Sequence, residues 1–231
     1  NEYSALQSLY RTTNGEYWVW DGSGLPWDFD GNGDPCLAGW EGVVCTPDCT
    51  TAESCDILGL ELPLHNLTGY LSEGLEGLSS LGALDLSYNR VRGTLPDAVT
   101  NLANLQSLNL QHIGGLLVGG GSGVNLPQLT LLDVADNKFD GYIPSGLSYM
   151  SNIEHLDLSA NNFRGSLSET ISGEAVKLVY LNISKNMLNG SIPSSIGSLS
   201  GLQSLSLFGN VLFSTVPSSL LLLSSLQHLS I

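Results

Sequence analysis

Positive charge is what this sequence has least of. Seven Lys and Arg stand against 22 Asp and Glu over 231 residues, for a formal charge of −15. The imbalance is uneven: residues 1–80 hold 13 acids and one base, Arg11, giving −12, and the rest hold 9 acids and 6 bases, giving −3. Such a surface repels phosphate backbones and anionic lipid, which excludes nucleic acid and membrane surfaces and favours basic partners or metal cations. Long apolar runs are missing too. None reaches the roughly 20 residues that cross a bilayer, so this stretch holds no membrane segment. The chain opens at Asn1 without the basic and apolar stretch of a secretory leader, and so reads as a mature or trimmed product. Catalytic constellations are also lacking. His65, His112, His155 and His228 fall in separate stretches, no Ser, His and acid set converges, and no phosphate-binding glycine motif lies between a strand and a helix. The expectation is a protein that is not an enzyme and requires no cofactor.

What the sequence has is repetition. LDLSANNFRGSL, Leu156 to Leu167, shares its spacing with most of the chain: Leu-x-Leu pairs start at Leu60, Leu84, Leu108, Leu132, Leu156, Leu181, Leu205 and Leu229. Alternation within each pair turns two leucines inward and the residue between them outward, so each unit supplies one short parallel strand. One coil cannot bury its leucines alone, whereas stacked coils cover one another and curve to create a concave face. The Asn that follows the strand, at 89, 137, 161, 186 and 210, is expected to point inward and bond the backbone groups of the turn. His65 and Ile113 occupy that position in two coils. Pro96, Pro144, Pro193 and Pro217 fix an extended segment on the flank. Between Leu110 and Leu126 one coil loses the pattern and carries glycines at 114, 115, 119, 120, 121 and 123, which reads either as a tolerated irregular coil or as a hinge or contact loop.

A repeat of this length spelling L-x-x-L-x-L-x-x-N-x-L-x-G-x-I-P, as in NKFDGYIP from Asn137 and NMLNGSIP from Asn186, resembles the plant-type leucine-rich repeat family over Ile57 to Ile231. The resemblance implies an α/β solenoid: a right-handed superhelix with a parallel concave sheet, about seven full coils and the start of an eighth. Residues 57–231 form the array and residues 1–56 the cap. Within the cap, apolar Tyr3, Leu6, Leu9 and Tyr10 follow helical spacing from Glu2 to Tyr10, and Asn14-Gly15 supplies a stop. Trp18, Trp20, Trp27 and Trp40 are the only tryptophans, and all four cysteines, 36, 45, 49 and 55, precede the array. Four cysteines allow three pairings, and their spacings do not form the paired CxxC hooks of a zinc site. The stretches ALQSLYRTTNGEYWVW, GDPC and WEGVVC are similar to the N-terminal cap of secreted and receptor-type members of the family. That similarity implies Cys36 with Cys45 and Cys49 with Cys55, and an oxidising compartment.

Sequons at Asn66, Asn182 and Asn189 add N-linked glycans and a secreted or cell-surface location to the expectation. Asp28, Asp30, Asn32 and Asp34 alternate, with Gly33 sixth, like the first half of a calcium loop. Gly39 stands where the bidentate Glu belongs, so a calcium site and a solvated turn both remain open. On the concave face the outward row includes Glu61, Asp85, Asn109, Asp133, Asp157 and Asn182, flanked by Tyr88, His112, Asp136 and Lys185 on one side and His155 and Tyr180 on the other, with Phe208 as a further anchor. The leading functional reading is an extracellular module that binds a protein, peptide or glycan, and most readily a basic one, through this face. The resemblance extends to receptor ectodomains and to secreted inhibitors of wall-degrading enzymes. The competing reading is a structural or adhesive matrix glycoprotein. In it, Leu226, Leu229 and Ile231, at the bare edge of the last strand, are a self-association contact.

Overall fold

A computed structural model of the chain describes residues 1–31, 33–51, 55–114, 116–117, 126–144, 147, 150–167, 177–213 and 215–231. Eight of the nine strands in the principal sheet are the predicted Leu-x-Leu units, running from Ile57–Glu61 through Ala83–Asp85, Ser107–Asn109, Leu131–Asp133, His155–Asp157, Tyr180–Asn182 and Ser204–Ser206 to His228–Ser230. All eight are parallel, and their register carries Asp85 onto Asn109, Asp133, Asp157, Asn182 and Ser206. The ninth strand, Val43–Cys45, belongs to the cap and pairs antiparallel with Ile57–Glu61. It closes the sheet edge that would otherwise present unpaired backbone groups.

The apolar spacing explains the core. Leu60, Leu84, Leu108, Leu156, Leu181 and Leu205 point inward and are buried, as are the second leucines or their equivalents, Leu62, Leu86, Leu110, Leu158, Ile183 and Leu207. Behind each strand the Asn ladder forms as the sequence predicts. Asn161, for example, donates through Nδ2 to the carbonyls of Val134, Leu158 and Ser159, and its Oδ1 accepts from Phe139 N–H at 3.0 Å. Asn89, Asn137 and Asn186 repeat the pattern one coil apart. Where Ile113 replaces Asn, the side chain is buried and its N–H donates to Asn137 Oδ1 of the next coil.

Two features of the coils extend the sequence reading. After the Asn, short strands Asp140–Tyr142, Asn162–Ser166, Met187–Gly190 and Val211–Leu212 pair in parallel as a second, four-stranded sheet on the flank. Among the described residues the remaining side carries 3₁₀ turns, Glu73–Gly77, Ser194–Ser198 and Ser218–Leu222, and a four-residue helix, Asp97–Thr100. Pro96, Pro193 and Pro217 stand in extended conformation at the starts of these turns, as expected of them. The glycines at 115, 119, 120, 121 and 123, on which the hinge reading rests, lie outside the described residues. Gly114 is described: its φ is +109°, and a Cβ there would meet Arg90 Cα at 2.9 Å, so the bend requires glycine.

The cap packs as the tryptophans suggest. Its helix runs Glu2–Thr12, two residues beyond the predicted end, with Asn1 accepting from Ser4 N–H and with Ala5, Leu6 and Leu9 buried. Glu2 accepts from Ile57 N–H, which fastens the helix to the first coil. Trp18, Trp27 and Trp40 are buried with Tyr10 and Phe29 in edge-on and stacked contacts. Cys36 bonds Cys45 and Cys49 bonds Cys55, the pairing implied by the resemblance. No helix among the described residues is long and apolar enough to cross a membrane.

Candidate functional site

Parallel register stacks equivalent side chains about 4.8 Å apart, so the open face of the principal sheet is a set of rows. In the middle row, Asp85, Asp133 and Asp157 each use Oδ1 to accept the N–H two residues on, from Ser87, Ala135 and Ser159. Their second oxygens differ. Asp85 Oδ2 accepts from Asn109 Nδ2, and Asp157 Oδ2 accepts from Tyr180 Oη and Asn182 Nδ2. Asp133 Oδ2 has no hydrogen-bond partner among the described residues. Burial holds the Asp133 carboxyl above its ordinary range; the Ala135 N–H pulls it part of the way back, and the Asp157 carboxylate adds to the rise. Asp133 is thus partly desolvated with one carboxylate oxygen left without a hydrogen-bond partner among the described residues.

Aromatic pairs border it. His155 and Tyr180 stack with ring centroids 4.2 Å apart and planes within 2°. Tyr180 is therefore half-buried rather than the free anchor expected of it, and burial, reinforced by Asp157, raises its phenol. Across the row, Tyr88 stacks on His112, whose Nδ1 lies 2.6 Å from Asp136 Oδ2 in an exposed pair. Phe208 is exposed, with Lys185 Nζ 5.8 Å from its ring centroid. Glu61 lies further along the row, exposed, beside a cleft of about 430 Å³ that also touches Asp21, Glu41, His65 and Asp85.

The structure adds a buried pair of which the sequence marked only His65. Glu41 and His65 face each other at 3.0 Å where the cap meets the first coil. His65 Nδ1 sits 2.6 Å from the Pro63 carbonyl, an acceptor only, so Nδ1 carries the proton. The signal was present as a His at an Asn position, but its partner lies 24 residues away with no spacing to mark it.

Other expected sites resolve locally. Asp28 Oδ1 accepts from the N–H groups of Asp30 and Gly31, and Asp34 Oδ1 accepts from those of Cys36 and Leu37 at the start of the short helix Pro35–Ala38. Two of the four suggested calcium ligands thus close a turn and cap a helix; Asn32 lies outside the described residues. Asp34 also neighbours Cys36 and Cys55, whose sulfurs are committed to disulfides. The sequons differ in readiness. Asn66 Nδ2 donates to Tyr17 O, and Asn182 Nδ2 donates to Asp157 Oδ2, while Asn189 is exposed.

The model of the Leucine Rich Repeat family matches residues 80–102, 128–150, 152–173 and 177–199. Phytosulfokine receptor 1 of Arabidopsis thaliana is 35% identical over 167 residues, which are 72% of this chain and 16% of that protein. MDIS1-interacting receptor like kinase 1, also of Arabidopsis thaliana, is 38% identical over 177 residues, 77% of this chain and 12% of its own length. Among solved structures, PEPR1-AtPEP1 superposes with a TM-score of 0.80 at 28% identity, covering 98% of this chain and 30% of that one. The Arabidopsis receptor kinase HAESA in complex with the peptide hormone IDA and the co-receptor SERK1 gives 0.79 at 27% identity, covering 97% and 36%. The chain thus spans less than a fifth of these two sequence relatives and about a third of these two structures. The repeat spacing, the disulfide-bonded cap and these likenesses agree: the chain carries leucine-rich repeats and is similar to plant receptor-like leucine-rich repeat proteins.

Proposed function

We propose that this chain is the ligand-recognising part of an extracellular or cell-surface protein, and that it holds a basic peptide segment along the concave face of the principal sheet. The observation that carries the reading is Asp133: a partly buried carboxyl, one oxygen unpartnered, in the middle of an in-register row of acids. A Lys or Arg side chain supplies the donor and the charge that Asp133 lacks, and charge-assisted bonds of this kind are the stronger ones. The His155–Tyr180 and Tyr88–His112 stacks offer rigid walls for an extended chain, and Phe208 a further apolar contact. The HAESA complex, which holds the peptide hormone IDA, lends weight to a peptide as the ligand class.

Selection from a displayed random-peptide library tests this reading. Peptides enriched on the wild-type chain should be rich in Lys and Arg, and Asp133→Asn should weaken them at least tenfold, about 1.4 kcal/mol. Tyr180→Ala and Phe208→Ala should each reduce binding as well. Enriched peptides without basic bias, or with equal affinity for D133N, would rule the reading out.

The same substitution has an opposite expected effect on the unliganded chain. A carboxyl whose folded value is raised binds its proton more tightly when folded, so its favourable contribution is fully present below the ordinary value of 3.8 and is lost as pH rises through the raised one. At neutral pH the desolvation and the repulsion from Asp157 outweigh the Ala135 hydrogen bond, which asparagine can also accept. Asp133→Asn should therefore stabilise the free chain at pH 7, by about 0.5–1 kcal/mol. The gain should shrink as the solution is acidified. Thermal unfolding of both forms at pH 7 and pH 4 checks this; a D133N midpoint below wild type at pH 7 would contradict it.

A further inference from the structure

We propose that Asn189 carries an N-linked glycan whose first sugars lie over the apolar outer face of the four-stranded flank sheet. In the strand Met187–Gly190, alternation buries Leu188 and turns Met187 and Asn189 outward. Register places Asn189 opposite Val211 on the next strand and Ser166 on the preceding one. Phe213 N–H donates to Gly190 O at 2.9 Å, so the pairing continues past Leu212 and brings Phe213 alongside. Met187, Val211 and Phe213 are all at least half exposed. The sequon therefore stands at the edge of a small apolar patch of Met187, Val211 and Phe213, with Ser166 opposite Asn189 and exposed Arg164 opposite Met187 on its other side.

Three observations select this sequon. The side chains of Asn189 and Ser191 are exposed, and Asn189 makes no side-chain hydrogen bond among the described residues, so modification breaks nothing. Asn182 would give up its bond to Asp157 Oδ2 at 3.0 Å, within the ligand-facing row, and Asn66 its bond to Tyr17 O at 3.0 Å. The donor class is an oligosaccharide held on a lipid diphosphate. A bond forms between Asn189 Nδ2 and the sugar C1 as the C1–O bond to diphosphate breaks; the diphosphate leaves with the electron pair, and one amide proton passes to a base. Exposed apolar clusters on a secreted surface have a function or a cover, and here the cover grows from the edge of the patch. The flank sheet is separate from the principal sheet, so the inference does not depend on the ligand reading.

The two methionines supply the test. Met187 is 50% exposed and Met150 is 2% exposed. The full chain is secreted from a glycosylating host as wild type and as Ser191→Ala, which keeps Asn189 but destroys the sequon. Peptide mass should show a glycan at residue 189 in wild type, and peroxide should oxidise Met187 roughly threefold more slowly than in S191A, because sulfur accessibility governs that reaction. Met150 should be protected in both. Enzymatic trimming of the folded wild type to a single N-acetylglucosamine should keep most of the protection, and complete removal should abolish it, a comparison made on protein that has already folded. An unmodified Asn189 would overturn the proposal. So would equal Met187 oxidation with and without the glycan, which would leave the face open to a protein partner.

Discussion

Glu41→Ala is expected to destabilise the cap by roughly 2–4 kcal/mol, because several polar groups lose a shared partner at about 1–3 kcal/mol for each left buried and unpaired. Glu41 is 1% exposed, and its carboxylate accepts from three backbone N–H groups and faces His65. Oε1 accepts from Asp21 N–H at 2.6 Å and faces His65 Nε2 at 3.0 Å, while Oε2 accepts from Gly22 N–H at 3.0 Å and Gly24 N–H at 3.4 Å. Its backbone carbonyl holds Trp27 Nε1 at 2.8 Å. One carboxylate therefore ties the loop from Asp21 to Gly24, the tryptophan cluster and the first coil together. Alanine leaves three part-buried backbone N–H groups without that acceptor and the buried imidazole without its neighbour. Glu41→Gln, which keeps one acceptor oxygen but turns an NH₂ toward other donors, should cost less than Ala and more than nothing.

A double-mutant cycle separates the pair from the backbone contacts. His65→Asn restores the residue that the ladder uses elsewhere, and the cost of E41A should be smaller in that background than alone, since residues in contact are not additive. Denaturant unfolding followed by tryptophan fluorescence reports on the cap because every tryptophan lies in it. Hydrogen exchange at Asp21, Gly22 and Gly24 should accelerate in E41A while exchange in the strands from Leu131 to Asn182 stays unchanged. A loss below about 1 kcal/mol, the scale of an ordinary exposed pair, would show that the carboxylate is replaceable there.

This pair shows where sequence legibility ends. The strands, the inward Asn ladder and the flank prolines follow from periodicity, because each repeat spells the same local problem and solves it with the same residues. Glu41 has no such repetition, and its role depends on where the cap loop lands. The backbone at Leu64, Tyr88, His112, Asp136, Ala160 and Lys185 was equally hidden. All six take φ between +49° and +62°, the left-handed region, at one recurrent position after the strand. Each N–H donates to a carbonyl of the next coil, as Tyr88 does to Gln111 and Lys185 to Phe208. Glycine takes the position once among the described residues, at Gly209, and asparagine at none, because stacking rather than local preference imposes the conformation. The variable row flanking the acids is thus a row of strained corners whose side chains are held outward. The acidic row was read from the spacing alone, but the difference between Asp133 and its neighbours lies in second oxygens, and these depend on Asn109, Tyr180 and Asn182 one coil away.

Asn161→Leu should destabilise the array by about 2–4 kcal/mol, one to two buried polar groups left unpaired at about 1–3 kcal/mol each. Leucine keeps the same count and branching of side-chain heavy atoms but can neither accept from Phe139 N–H nor donate to the carbonyls of Val134, Leu158 and Ser159. Asn161 stands between coils that carry Asn137 and Asn186, so the break falls mid-array, where neighbour terms act on both sides. Asn161→Asp discriminates between lost packing and lost polarity. Its carboxylate still accepts from Phe139 N–H but presents a second negative oxygen to three carbonyls, so at pH 7 it should be worse than leucine. Because protonation supplies the missing donor, N161D should regain stability as pH falls, whereas N161L should show no such dependence. The comparison is made by denaturant unfolding of the three forms at pH 7 and pH 4. If N161D matched wild type at pH 7, the ladder would be a geometric coincidence of the repeat rather than a source of its stability.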